Sequence, residues 1–229
     1  MKLSFAGLEH ILEVVPGRVS ILQIEPVVLF SRVCQSVLEN DPARRLESFT
    51  LWGNDGKEVS SRNVFLPVFN PFDLPWRDRA LMAALYEKVG ILIRDDDALR
   101  HKIEAAHWEF EHLIADLSLT MNGSYSFGLE WDVSQSLKAY SFGVDRSDSD
   151  MLLDNVIRFV EFVHDVGCEK ALLFVNLDNY LTRNELIELE AQLFFHNIAA
   201  LMLVQGSDAL ALRNAKKLYV DQEFLEYAS

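Results

Sequence analysis

Three features of this 229-residue sequence predict an α/β fold interrupted by a helical insertion. The chain opens with strand, helix and strand patterns in turn. Its last third carries two runs, Ala171-Leu-Leu-Phe-Val175 and Ala199-Ala-Leu-Met-Leu-Val204, that are apolar at every position. Runs buried on both faces belong to parallel strands covered by helices. Between these parts, from Asn70 onward, strand patterns give way to long helical periodicities.

Lys2–Phe5 alternates as a strand, Leu8–Val14 is apolar-rich, Pro16-Gly-Arg18 is a turn, and Val19–Ile24 is a β-branched run. Pro26 sits where a first helical residue belongs, and Val28, Phe30, Val33, Cys34, Val37 and Leu38 recur at helical spacing. Pro26–Asn40 is therefore expected as an amphipathic helix. Leu46–Trp52 returns to strand, with a turn at Asn54-Asp-Gly56. Pro71 and Pro75 frame an aromatic-rich linker, after which Arg77–Ile93 and Ala98–Met121 are expected as helices, with Val133–Tyr140 a short third. Met151–Val166 is again helical. Thr182 and Glu185 have the spacing of a capping box opening a helix over Arg183–His196, and Lys217–Val220 is expected as a short edge strand. The expected division is an α/β head of residues 1–60 and 150–229, with a helical insertion of residues 61–149.

Composition narrows the class. Hydrophobic residues make up 50% and charged residues 24%, which excludes disordered, collagen-like and rod-like chains. No apolar run approaches the roughly 18 residues of a membrane span, so no membrane association is expected. Two cysteines, Cys34 and Cys168, sit within apolar helical patterns, the usage of free thiols in a reducing cytoplasm. Net charge is −14, and residues 58–150 carry 16 acids against 9 bases. Such a field repels nucleic acid and anionic lipid unless cations gather on one face, or converge from several subunits on a common axis. The basic residues, including Arg44, Arg45, Lys57, Arg62 and the Lys216-Lys217 pair, form no long stripe.

Several chemistries can be sought in the motifs. The sequence has neither G-x-x-x-x-G-K-[ST] nor G-x-G-x-x-G, so the glycines and lysine of a phosphate loop are missing. Leu172–Asp178 nevertheless resembles a strand ending in the aspartate that holds Mg²⁺ in nucleotidases. Glu-x-x-His occurs as Glu104…His107, Glu109…His112 and Glu161…His164. Each pair shares a helix face, and two such pairs on different helices mark di-iron carboxylate sites. A metal-dependent oxidoreductase of that type is thus the alternative function. Acidic clusters at Asp95-Asp-Asp97, Glu130–Asp132 and Asp145…Asp148…Asp150 offer the oxygen ligands that calcium takes, or simply helix-terminal acids.

The two ends of the chain, read together, resemble a known family. Leu3-Ser-Phe5, Glu9, Gly17-Arg-Val-Ser-Ile-Leu22 and Leu29-Phe-Ser-Arg-Val-Cys-Gln35 are similar to the N-terminus of the adaptation-stage ring protein of type II-A CRISPR systems, the Csn-two family. Ala171-Leu-Leu-Phe-Val-Asn176, Tyr180-Leu-Thr182, Glu185, Leu189, Asn197 and Leu201-Met-Leu-Val204 resemble its closing core. Leu129-Glu-Trp-Asp132 and Phe142-Gly-Val144 match between them, and most of residues 60–125 match in helical character alone.

The resemblance implies a nucleotidase-like (P-loop-like) head without its phosphate loop and an inserted helical leg. It implies a non-enzymatic homotetrameric ring that encircles double-stranded DNA ends without reading sequence. That ring would support spacer acquisition alongside the CRISPR integrase subunits and the type II RNA-guided nuclease, in the bacterial cytoplasm. It implies calcium held by acids of the leg: Glu130 and Asp132 match the ligand motif, while Ser126, Phe127 and Gly128 replace the acids that precede it in better-known members. That departure moves the expected site toward Asp145, Asp148 and Asp150. Basic residues after the third strand line the DNA-facing surface in the family, which assigns Lys57 and Arg62, with Arg44 and Arg45 just before them, to DNA binding. A nucleotidase-like scaffold binding neither DNA nor metal is the third reading.

Overall fold

We describe a computed structural model of the chain, covering residues 1–39, 41–128, 131–145, 151–206, 212 and 214–228. It forms two compact units: Met1–Pro75 with Arg146–Ser229, and Trp76–Asp145.

The first unit is mixed α/β. Its main sheet has six strands in the order β5 (Phe65–Val68), β6 (Ala171–Val175), β7 (Ala200–Gln205), β3 (Val19–Ile24), β8 (Lys216–Val220) and β9 (Glu226–Ala228). The first five are parallel and β9 is antiparallel. Every residue of β3 is buried, which explains why that segment reads as a nearly continuous apolar run. A smaller antiparallel sheet orders β2 (Leu12–Glu13), β1 (Lys2–Phe5) and β4 (Phe49–Trp52). Its alternation turns Leu3, Phe5, Phe49 and Leu51 into the core they share with Leu22 and Ile24 of β3.

Helices α1 (Val27–Leu38), α6 (Leu152–Asp165) and α7 (Arg183–Phe195) complete this unit with the single-turn α2 (Ser61–Val64). On α6, Val156, Phe159, Val160 and Val163 recur at i, i+3, i+4 and i+7, and all four are fully buried. The capping box forms as its spacing predicts. The Thr182 hydroxyl accepts from the Glu185 N–H at 3.4 Å, and the Glu185 carboxylate accepts from the Thr182 N–H at 2.7 Å. The Thr182 donors hold the Glu185 carboxyl below its ordinary pKa.

Two expectations are corrected here. Residues 61–68, assigned by sequence to the insertion, form α2 and β5, and β5 pairs with β6 as the edge of the main sheet. The run Phe65-Leu-Pro-Val68 is short and contains proline, which is tolerated on an edge strand whose outer side needs no donor. Conversely, β8 is not an edge. A turn at residues 221–225, in which the Asp221 carboxylate accepts from the N–H groups of Glu223 and Leu225 at 2.9 and 2.8 Å, folds β9 back onto it.

The second unit holds α3 (Arg79–Asp95), α4 (Asp97–Ser118) and α5 (Val133–Ala139). Aspartates cap all three. Asp78 accepts from Ala80 and Leu81 N–H, Asp96 from Leu99 N–H and Asp132 from Gln135 N–H. Asp97 pairs with Arg100 at 2.7 Å, so the Asp95-Asp-Asp97 run is a helix junction rather than a gathered ligand set. Leu81 and Tyr86 of α3 are buried, and the Tyr86 hydroxyl donates to the Phe142 carbonyl at 3.3 Å. The 22-residue α4 buries none of its residues.

Candidate functional site

In parallel α/β sheets ligands sit beyond the carboxyl ends of the strands, where successive connections leave in opposite directions. Here that place is the exit of β3, between β7 and β8. Only Glu25 and Pro26 separate β3 from α1, so no glycine loop turns backbone N–H groups toward a phosphate. The strand exits bond to one another instead. The Tyr219 hydroxyl donates to the Glu25 carboxylate at 2.5 Å, and the Gln205 amide donates to the Glu25 carbonyl at 3.2 Å. The Asn176 side chain accepts from the Gln205 N–H at 3.0 Å, with Asn176 itself in the left-handed region at φ 50°. The Glu25 carboxylate pushes the Tyr219 phenol up to about 12. This edge holds a half-buried carboxylate, bonded to Tyr219, where a phosphate loop would present donors.

The nucleotidase-like aspartate, Asp178, lies in a 3₁₀ turn (Leu177–Asn179) after β6. Its Oδ1 is buried without a hydrogen-bond partner, and desolvation raises its pKa. The structure thus places that carboxyl at a strand exit, and among the described residues no group of three or more His, Cys, Asp or Glu is placed to hold a metal ion.

The four basic residues chosen from sequence fall at three places in the first unit: Arg44 and Arg45 at one 3₁₀ turn, Lys57 after β4 and Arg62 on α2. Arg44 ends a 3₁₀ turn (Pro42–Arg44) and pairs with Asp41 at 3.6 Å. Arg45 is committed to packing. Its Nε donates to the Glu39 carbonyl at 3.2 Å, its Nη1 to the Phe49 carbonyl at 3.4 Å, and its guanidinium lies 4.1 Å from the Phe49 ring centroid. Lys57 is exposed at the turn after β4 and pairs with Asp55 at 3.4 Å. Arg62 on α2 has an exposed side chain, while its carbonyl accepts from Lys170.

Of the acids chosen for calcium, Glu130, Asp148 and Asp150 lie outside the described residues. Asp132 spends Oδ1 on capping α5, and Asp145 is exposed. Asp132 also lines a cleft of about 540 Å³ within the second unit, with Glu87, Glu104, Arg94, Arg100 and Lys138. Its carboxylates are matched by an equal number of cations, so the cleft has no strong charge preference. Calcium needs 6–8 oxygens, and the described residues do not assemble them.

The Glu-x-x-His pairs are dispersed. Two of the three are on the same helix, α4, and the third is on α6 in the other unit. Their members have local partners: His107 pairs with Glu111 at 3.1 Å and stacks on Trp131, Glu104 faces Arg100 at 3.9 Å, and His164 bonds the His196 carbonyl. A di-iron site needs carboxylates and imidazoles converging from four helices, and this arrangement does not supply them.

The family model described as CRISPR-associated protein (Cas_Csn2) matches residues 45–224. The chain belongs to this CRISPR-associated family. Its fold is similar to that in the crystal structure of Stu0660 of Streptococcus thermophilus, at a TM-score of 0.56 and 12% identity over 96% of this chain and 75% of the other. No curated protein matches the chain in sequence. The Csn2 match spans the second unit as well as strands β4 to β8 of the first, so the helical segment is part of what the family shares. No helix of the described residues is long and apolar enough to cross a membrane.

The most conspicuous surface of this Csn2-family chain was legible as a helix but not as a surface. On α4, Phe110, Leu113, Ile114 and Leu117 recur at i, i+3, i+4 and i+7 and are exposed to 55, 63, 39 and 59%. Trp108, on the opposite side of the helix, is 62% exposed. That spacing gathers the four exposed apolar side chains on one face of the helix.

Proposed function

We propose that the chain works as a non-catalytic homotetrameric ring that encircles double-stranded DNA ends without sequence preference, in the service of CRISPR spacer acquisition. The observation that carries this reading is the uncovered stripe of α4. A chain with net charge −14 gains a cationic surface large enough for a duplex by bringing the same small cluster from several copies onto one axis. The stripe supplies apolar area for that association. Family membership supports the CRISPR role, and the short, carboxylate-bearing exit of β3 fits a head that does not hold a nucleotide.

Calcium enters this reading as a stabiliser of like-charged subunits, with Glu130, Asp132, Asp145, Asp148 and Asp150 as its ligands. The integrase subunits and the type II RNA-guided nuclease are the proposed partners, in the bacterial cytoplasm. The test combines mass and topology. Sedimentation should give about four times the protomer mass, and the assembly should bind linear duplex far more tightly than closed circular duplex. A protomer that stays single, or equal affinity for the two forms, overturns the reading. If calcium contributes, chelation should shift mass toward smaller species.

A further inference from the structure

The apolar positions of α4 follow a stricter rule than an amphipathic helix requires. Leu99, Ile103, Ala106, Phe110, Leu113 and Leu117 succeed one another in steps of four and three residues without a break. Their mean spacing of about 3.5 residues is that of a coiled-coil seam, where a free-standing helix would drift at ~3.6. Ile103 is half-buried and lines the cleft beside α3, and the other five are exposed. Nearly three heptads are short for helices that must fold as they pair. Here α4 is already held as a helix, by its Asp96 cap and by packing on α3.

Charges along one flank of the seam indicate what covers it. Lys102, Glu109 and Asp116 follow at seven-residue intervals, so they line a single edge of the apolar strip. All three are exposed, and none makes an ion pair among the described residues. The other flank is taken up within the unit: Arg100 pairs with Asp97, and His107 pairs with Glu111 and stacks on Trp131. We infer that the seam packs against the same seam of a second copy, antiparallel about a two-fold axis near residue 108. With Phe110 opposite the partner's Ala106, every seam residue meets an apolar one, and Lys102 comes opposite the partner's Asp116 on both sides of the axis. Glu109 meets the partner's Glu109 near the axis, one repulsion against two attractions. Parallel pairing would set Lys102 against the partner's His107 and Glu109 against the partner's Ile114, with no pair of opposite formal charges. That the chain self-associates rests on the function proposed above; the seam, its direction and its register go beyond it.

The experiment follows the mass of the full chain by sedimentation equilibrium over a concentration series. Lys102→Glu or Asp116→Lys alone should weaken self-association about tenfold, since symmetry turns two attractive pairs into two repulsive ones. The exchange Lys102→Glu/Asp116→Lys should restore it, and Glu109→Gln should tighten it. Direction is read by cross-linking under a mild oxidant. A mixture of Ala106→Cys and Phe110→Cys chains should give a mixed disulfide dimer above the wild-type level, and Leu99→Cys alone should give none. If wild type assembles and the single charge reversals leave it unchanged, or if Leu99→Cys cross-links to itself, the inference is overturned while the ring reading stands. If wild type stops at a dimer that single reversals weaken and the exchange restores, the seam is upheld and the ring reading falls. A wild type that stays single overturns both.

Discussion

Helices α6 and α4 carry the same apolar spacing and opposite surroundings. Val156, Phe159, Val160 and Val163 on α6 are fully buried, whereas Phe110, Leu113, Ile114 and Leu117 on α4 lie open to solvent. Periodicity states which side chains share a face, not what covers it. The first helix buries its apolar face within its own unit; the second leaves its apolar face exposed. Stability and assembly should therefore be separable by mutation.

The largest effect should come from the covered face. Phe159→Ala removes a fully buried ring and should cost about 3–5 kcal/mol in urea-induced unfolding. Leu117→Asp on the open face should leave protomer unfolding nearly unchanged but abolish higher-mass species in sedimentation. If Leu117→Asp unfolds the protein, or leaves mass unaltered, the contrast between the two faces is broken.

A smaller effect tests local rather than tertiary support. Thr182→Ala removes the acceptor that caps α7 and should cost about 1 kcal/mol, read by the same unfolding measurement. The smallest is a pH effect. The Lys216 hydrogen bond depresses the Glu13 pKa, and Thr182 donors depress that of Glu185. Groups with a depressed folded pKa contribute stability above their unfolded value of 4.5, and that contribution is lost as pH falls through the folded one. Stability should decline below about pH 4.5, and Glu13→Gln with Glu185→Gln should flatten the decline. An unchanged acid limb in that double variant would show that these two contacts do not set it.

Much of the architecture was legible. Ala171–Val175 is β6 as expected, because a run apolar on both faces has few alternatives to a central parallel strand. Thr182 and Glu185 cap α7 because a capping box is complete within four residues. The misreadings involve pairing. Phe65–Val68 is too short and too proline-marked to announce an edge strand, and Lys217–Val220 looked like an edge because Glu226–Ala228 carries no strand pattern of its own. Among site residues, Arg45 reads as a free cation in sequence, yet Phe49 and the Glu39 carbonyl engage it. Lys216 and Lys217 read as one scattered basic pair, since nothing in sequence brings Glu13 beside Lys216.

By itself the sequence determined the α/β class, the long helices between its two α/β segments, the missing phosphate loop and the family resemblance. Each of these is a property of local pattern or of motifs in order along the chain. Tertiary structure alone decided where β5 and β9 pair, and that Glu13 meets both Lys2 and Lys216. Those facts depend on contacts between residues up to about two hundred positions apart, as in the ion pair from Glu13 to Lys216. Periodicity repeats over a few residues, so it carries no information about such contacts.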